Sequence, residues 1–204
     1  MTTTPVLERS QRAEQARAAR SEEILSAARR VFSARGFRGT TIADIAEEAG
    51  IALGTIYLYF PSKEAVFAAL NQQFAAILSE AVTSAQGDSL EAVVRSQVGQ
   101  VFAACSENRD VVRLAVLNTD PETEVARRLQ RADDERMRPL EAGLGRAVAA
   151  GWSRAVDTRI AARLIQGLVS ISVYKAFVLS DGKDADAYRD ECAAMIVAYL
   201  TPSV

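Results

Sequence analysis

There is no histidine anywhere in these 204 residues. That removes the commonest general base and the commonest metal ligand, and so counts against an enzyme without excluding one. Cysteine is nearly absent as well. Cys105 and Cys192 have neither CxxC spacing nor a histidine to complete a zinc site. Both sit in apolar helical patterns and read as reduced thiols packed as small hydrophobes. No metal and no cofactor is expected. No apolar stretch is expected to reach the ~18 residues that a bilayer span needs. The opening Met1-Thr-Thr-Thr-Pro5 lacks the basic-then-apolar plan of a signal peptide. A cytoplasmic protein with no membrane partner is the expectation. Sustained period-2 alternation is missing too, which argues against strands.

What the chain does have is apolar residues, 49% of the total, at a net charge of −2. That suits a protein able to bury a real core. The charge is unevenly spread. Residues 1–63 carry nine Lys/Arg against seven Asp/Glu, net +2; residues 64–204 carry fifteen against nineteen, net −4. A positive front on an acidic body fits a protein that touches nucleic acid with one end.

Almost everything after residue 20 reads as helix. Ile24, Ala27, Ala28, Val31 and Phe32 form the i, i+3, i+4, i+7, i+8 stripe of a helix from Ser21 to about Arg35. Gly36 closes it in the left-handed conformation, with Phe37 folding back as its apolar companion. Short helices are expected at about 42–49 and 52–59, then a longer one from Ser62 to about residue 85. Further helices follow at about 89–105 and 109–118, divided by Ser106-Glu107-Asn108. Asp120-Pro121 opens the next, and Pro139 should kink or split it. Residues 151–156 form a linker, and Asp157 caps a helix to about Leu179. After Ser180-Asp-Gly-Lys183, a last helix over about 184–200 stops at Pro202. The first twenty residues differ. Arg9, Arg12, Arg17 and Arg20 share one broad face of an arm or helix extension, which either follows DNA phosphates or is a solvated terminus.

Residues 40–64 decide the matter. Thr41 and Asp44 make a T-x-x-D capping box, in which each side chain accepts from the other residue's backbone N–H. Ile42, Ile45 and Ala49 face the core, and Ala46 is small where a second helix must cross. Gly50 supplies the positive φ of a tight turn. Ile51 anchors that turn, and Ile56 and Phe60 bury the inner face of the next helix. This is the helix-turn-helix plan. On the outer face Thr55, Tyr57 and Tyr59 present hydroxyls, Leu53 and the Thr55 methyl could meet thymine methyls, and Gly54 permits close approach. Lys63 opens the following helix, where ammonium and backbone N–H groups could share a phosphate. Each residue alone is ordinary; all of them in register are not.

The string Thr40-Thr-Ile-Ala-Asp-Ile-Ala…Ala49-Gly-Ile…Gly54-Thr-Ile-Tyr-Leu-Tyr-Phe-Pro-Ser-Lys-Glu64 resembles the DNA-binding signature of the TetR family. Ile24-Leu-Ser-Ala-Ala-Arg…Phe32…Gly36-Phe resembles that family's first helix. The resemblance covers about residues 21–70. It implies an all-α protein: a basic, flexible arm over 1–20, a three-helix DNA-binding domain over 21–66, and an effector-binding and dimerisation domain over 67–204. It also implies Leu53, Gly54, Thr55, Tyr57 and Tyr59 at the DNA, with Thr41 and Lys63 on phosphates. One departure is visible: Ala52 stands where the family often has Ser or Thr, so the recognition helix lacks its usual side-chain cap.

The C-terminal two-thirds resembles the family in architecture alone, with the last two helices packing on a second subunit as a four-helix bundle. Gly167, Ser170 and Tyr174, with Ala194, Met195 and Ala198, are the expected homodimer contacts, and an intramolecular core face is the competing reading. For an effector pocket, Phe74, Phe102, Leu114 and Phe177 are the apolar candidates; Gln97, Arg113, Asn118 and Tyr174 are the polar ones. Core packing competes for each. Gly54-Thr-Ile-Tyr-Leu-Tyr-Phe and the helix order after it also look like the fatty-acid-responsive repressors of the family, whose effector is a long-chain acyl-coenzyme A. The expected partners are a palindromic DNA operator, a small apolar effector and a second copy of the chain. Alternatives are a multidrug-responsive repressor, a helical enzyme sharing the head, and a protein–protein adaptor with a degenerate head.

Overall fold

The computed structural model describes residues 4–84, 86–117 and 124–202, and the side chains of these apart from residues 4–10, 117 and 124–136. The described residues hold helices and no strand. In order they are α1 (Thr4–Arg35), α2 (Ile42–Glu48), α3 (Leu53–Ile56), α4 (Lys63–Thr83), α5 (Leu90–Glu107), α6 (Arg109–Leu117), α7 (Glu124–Ala149), α8 (Thr158–Val173) and α9 (Ala185–Leu200). The chain divides into two compact units, one ending at Leu70 and the other starting at Asn71.

The first unit is built on the apolar stripe of α1. Ile24, Ala27, Ala28, Val31 and Phe32 are all buried, as are Ile45 and Ala46 of α2, Ile56 of α3, Phe60, and Val66, Phe67 and Leu70 of α4. Phe32, Phe37 and Phe67 form an aromatic cluster with centroids 5.0–6.2 Å apart. Gly36 ends α1 at φ +69°, and its N–H donates to the Phe32 carbonyl at 2.8 Å. That bond is the left-handed helix cap the sequence calls for. Ile42 and Ala49, expected in the core, are only half-buried.

Helix α1 begins well before Ser21. It runs unbroken from Thr4, because nothing between Val6 and Arg35 breaks a helix and Ala, Arg, Glu and Gln all favour one. Residues 4–20 are thus an extension of the first helix. Residues 11–20 are exposed, and the Arg9 side chain lies outside the described residues.

The second unit is built around α5, α8 and α9. Val94, Val98, Phe102 and Cys105 pack with Ala161, Ala162 and Ile165, and with Cys192, Ala193, Ile196 and Leu200. Ser89 caps α5 through the Ala92 N–H, and Asp157 caps α8 through the N–H groups of Arg159 and Ile160. Three boundaries depart from expectation. Helix α5 continues to Glu107, so Asn108 alone separates it from α6. Helix α7 passes through Pro139 without splitting; Met137 and Leu144, buried on either side, anchor it across the one lost hydrogen bond. The third lies after α8, where Tyr174–Leu179 winds as a π-helix. There the Ser180 N–H reaches back to the Lys175 carbonyl and the Ser180 hydroxyl to that of Ala176. The proposed helix opening at Asp120-Pro121 lies outside the described residues.

The expectation of no membrane-length apolar segment needs correction. By length and mean hydropathy, Lys63–Thr83 and Thr158–Leu179 are long and apolar enough to cross a membrane. No uninterrupted run reaches that length, because Asn71, Gln72 and Gln73 interrupt the first and Arg163 and Gln166 the second, but the averages pass.

Candidate nucleic-acid interface and effector cavity

Three short segments fix the exposed face of the first unit. Helix α2 starts in a complete capping box. The Thr41 N–H donates to Asp44 Oδ2 at 2.7 Å, and the Asp44 N–H donates to Thr41 Oγ1 at 3.2 Å. The Thr41 hydroxyl also donates to Asp44, and Arg35 reaches the other carboxylate oxygen at 2.7 Å. The hydrogen bonds from the Thr41 side chain and backbone, then the Arg35 charge, hold the Asp44 carboxyl below the usual carboxylate range. A second ion pair, Arg30–Glu48 at 2.6 Å, also ties α1 to α2.

The turn that follows places Gly50 at φ +66°, with the Ile51 N–H donating to the Ala46 carbonyl at 3.0 Å. Helix α3 is shorter than the expected 52–59. Regular helix covers Leu53–Ile56, and residues 57–59 continue as tight turns. Leu58 N–H bonds to Thr55 and Tyr59 N–H to Ile56, three residues back. Pro61 has no N–H to extend the ladder, and it disfavours helical backbone at Phe60. Ala52 makes no side-chain cap, as its methyl dictates.

This short element buries Ile56 and Phe60 and turns the rest outward. Leu53 and Tyr57 are about half exposed, at 46% and 49%, and Gly54 is exposed, with nothing within 4 Å of where a Cβ would lie. Thr55 and Tyr59 are half-buried. Arg17 of the α1 extension donates to the Leu58 carbonyl at 3.4 Å, and its guanidinium lies 5.9 Å from the Tyr59 ring centre. Leu58, at 71%, is the most exposed of the large apolar side chains here. It was not among the expected residues, although its place between two outward tyrosines was a signal.

Lys63 is placed differently from expectation. Its ammonium donates to the carbonyls of Phe37 at 3.0 Å and Thr40 at 2.8 Å, and sits 4.7 Å from the Phe37 ring centre. Thr40 is itself buried, and its hydroxyl donates to the Gly36 carbonyl at 2.7 Å. Lys63 therefore closes the α1–α2 turn instead of standing free for a phosphate.

The second unit contains a cavity of about 710 Å³, lined from α4, α5, α6, α7, α8 and α9. Its wall is mostly aliphatic, with Phe74, Leu78, Val94, Leu140, Ile165 and Val169 typical. Phe74, Gln97 and Tyr174 line it as expected; Phe102, Leu114, Phe177 and Arg113 do not. Phe102 and Phe177 are core residues packed on each other at 5.8 Å, and Leu114 is buried. Arg113 pairs with Asp181 at 3.1 Å beside the turn after α8. Asn118 lies outside the described residues. Gln97 donates to the Val82 carbonyl at 3.0 Å, which ties α5 to α4. Arg146, Trp152 and Gln166, also in the wall, were not expected. A faint signal existed for one of them: Arg146 recurs with Gly143 and Ala150 at helical spacing.

On α8 the expected dimer contacts divide. Ser170 and Tyr174 line the cavity, because Gln166, Ser170 and Tyr174 recur every four residues on one stripe. Gly167 is exposed on another stripe, beside Ile160, Leu164 and Ile171, which are 49–60% exposed. On α9, Met195 and Ala198 are exposed and Ala194 is half-buried. No cluster of three or more His, Cys, Asp or Glu occurs among the described residues. Cys192 is buried, and that burial pushes its thiol up.

A capped α2, a glycine turn, and a short α3 that buries one face and exposes the other define a helix-turn-helix head, here joined to a helical unit with a large apolar cavity. The sequence profile of the bacterial regulatory proteins of the tetR family matches residues 24–70, the helix-turn-helix head and the start of α4. YerO of Bacillus subtilis, described as an HTH-type transcriptional regulator, is 30% identical over 52% of this chain and 38% of its own length. YdgC of the same organism, described likewise, is 26% identical over 89% of this chain and 92% of its own. The chain thus spans well under two thirds of YerO and most of YdgC. Among solved structures, Bacillus subtilis FadR in complex with stearoyl-CoA superposes with a TM-score of 0.74 at 22% identity. That match covers 88% of this chain and 98% of FadR, a likeness of fold.

Proposed function

We propose that this protein is a cytoplasmic DNA-binding transcriptional regulator, a homodimeric repressor that a small apolar effector releases from a palindromic operator. The observation that carries this reading is the outward face of residues 53–59. Leu53, Tyr57 and an unobstructed Gly54 are exposed on an element whose other side is fully packed. Leu53, Gly54, Thr55, Tyr57 and Tyr59 are the residues assigned to the major groove, and Thr41 lies at the α2 N-terminus beside a phosphate. So short a reading element touches few bases, so two heads on successive half-sites supply the affinity. Gly167, Met195 and Ala198, with Ile160, Leu164 and Ile171, supply the second-copy contact.

The effector occupies the cavity of the second unit, whose volume lies within the ~300–1,000 Å³ of typical ligand sites. It binds preferentially to a conformation in which the two reading heads no longer match successive grooves. The resulting loss of DNA affinity can be no larger than its differential affinity for the two states. The FadR likeness, with its stearoyl-CoA, supports a long-chain acyl compound as effector. Selection of genomic fragments by the purified protein tests the proposal. Recovery of a palindrome supports it; fragments with no shared sequence contradict it and favour the adaptor reading.

A further inference from the structure

The cavity wall is not electrically neutral. Among its described lining residues Arg146 is the only one with a charged side chain, and no Asp, Glu or Lys accompanies it. Arg146 lies in the last turn of α7. Its guanidinium folds back over Gly143, one turn earlier on the same lining stripe: a Cβ there would be 3.8 Å from Nη2. Arg146 is exposed, and no hydrogen bond or ion pair joins it to any described residue. The Tyr174 hydroxyl, from a side chain that also lines the cavity, likewise makes no hydrogen bond with a described residue.

We infer that the effector is an anionic amphiphile, whose aliphatic chain fills the cavity and whose carboxylate or phosphate head pairs with Arg146. This rests on the effector-cavity reading above and deepens it. Because Arg146 is exposed, a neutral ligand would leave its guanidinium to solvent and gain nothing from it, and a cationic one would be repelled. An anion supplies the planar, forked acceptor that a guanidinium matches. The rest of the lining is aliphatic, aromatic or uncharged polar, so the part of the ligand inside it is uncharged and mostly hydrocarbon.

The chain carries a single tryptophan, Trp152, and it lines this cavity. Its fluorescence in the full-length protein therefore reports occupancy directly. Titrations with submicellar palmitate, palmitoyl-CoA and hexadecanol separate head from tail and one anionic source from the other. The expected result is that at least one anion binds about tenfold more tightly than hexadecanol. Arg146→Met should erase that advantage while leaving hexadecanol unchanged, and Arg146→Lys should keep most of it. The tighter of the two anions names the source of the head group. Hexadecanol binding as well as both anions, or an anion preference unaltered in Arg146→Met, overturns the head-group assignment while leaving the cavity reading standing. No response to any of the three overturns both.

Discussion

The Lys63 ammonium donates to the Thr40 carbonyl at 2.8 Å, and so ties the first residue of α4 to the residue that precedes the capping box of α2. A second bond to Phe37 and the nearby aromatic ring complete the clamp. With its ammonium so engaged, Lys63 fixes the turn that leads into α2.

Lys63→Met separates this from a phosphate contact. Loss of two charge-assisted, half-buried hydrogen bonds should cost about 1–3 kcal/mol of stability and lower the melting temperature. The slope of log affinity against log salt should stay at the wild-type value. A direct phosphate contact from each protomer predicts instead a slope shallower by about two.

Gly54 gives the reverse case. It has ordinary negative φ, and nothing lies within 4 Å of the position of a Cβ. Gly54→Ala should stabilise the fold by a few tenths to about 1 kcal/mol, since alanine is the better helix former. It should also weaken operator binding, because the added methyl projects from the face that approaches the groove. Thermal unfolding and gel shift on one preparation check both. Unchanged operator affinity removes Gly54 from the interface.

The capping box makes a pH prediction. Asp44 has a folded pKa below its ordinary value, chiefly through Thr41. It therefore contributes stability that is fully present above the ordinary carboxylate pKa and is lost as pH falls through the folded one. Wild-type melting temperature should drop below about pH 4, and Thr41→Val should make that acid dependence shallower by returning Asp44 toward its usual range. An identical acid profile in the variant means that other carboxylates set it.

Leu164, at 60% exposure, tests the second-copy contact. Leu164→Asp costs little in a monomer, because the side chain already faces outward, but it buries a charge if a partner helix packs there. Sedimentation should show the wild type as a dimer and the variant as a monomer with unchanged helix content. A variant that stays dimeric places the interface elsewhere.

The head was legible because its requirements are local. The Thr41–Asp44 box, the positive φ at Gly36 and Gly50, and the burial of Ile45, Ala46 and Ile56 each follow from spacing within a few residues. The lysine clamp was not, since Lys63 and Phe37 are 26 positions apart and only the tertiary fold joins them. The cavity was legible in part. Phe74, Gln97 and Tyr174 were anticipated, but an apolar side chain at helical spacing reads the same whether it meets core or cavity. That ambiguity put Phe102 and Phe177 in the wall when they pack on each other, and put Ser170 with Gly167 when the two occupy different stripes of α8. The π-helical turn at Tyr174–Leu179 left no mark that periodicity could register.

Sequence-specific DNA binding is the function proposed for the face around Gly54 and Tyr57. Its most direct test is the affinity of the purified protein, across a salt series, for a selected genomic fragment and for a scrambled copy. A preference of about 10³-fold or more for the fragment, and a nearly uniform loss across operator variants in Tyr57→Phe, is the predicted result for a specific reader with a phosphate-bound tyrosine. Equal, salt-sensitive affinity for both DNAs would rule out a sequence-specific reader.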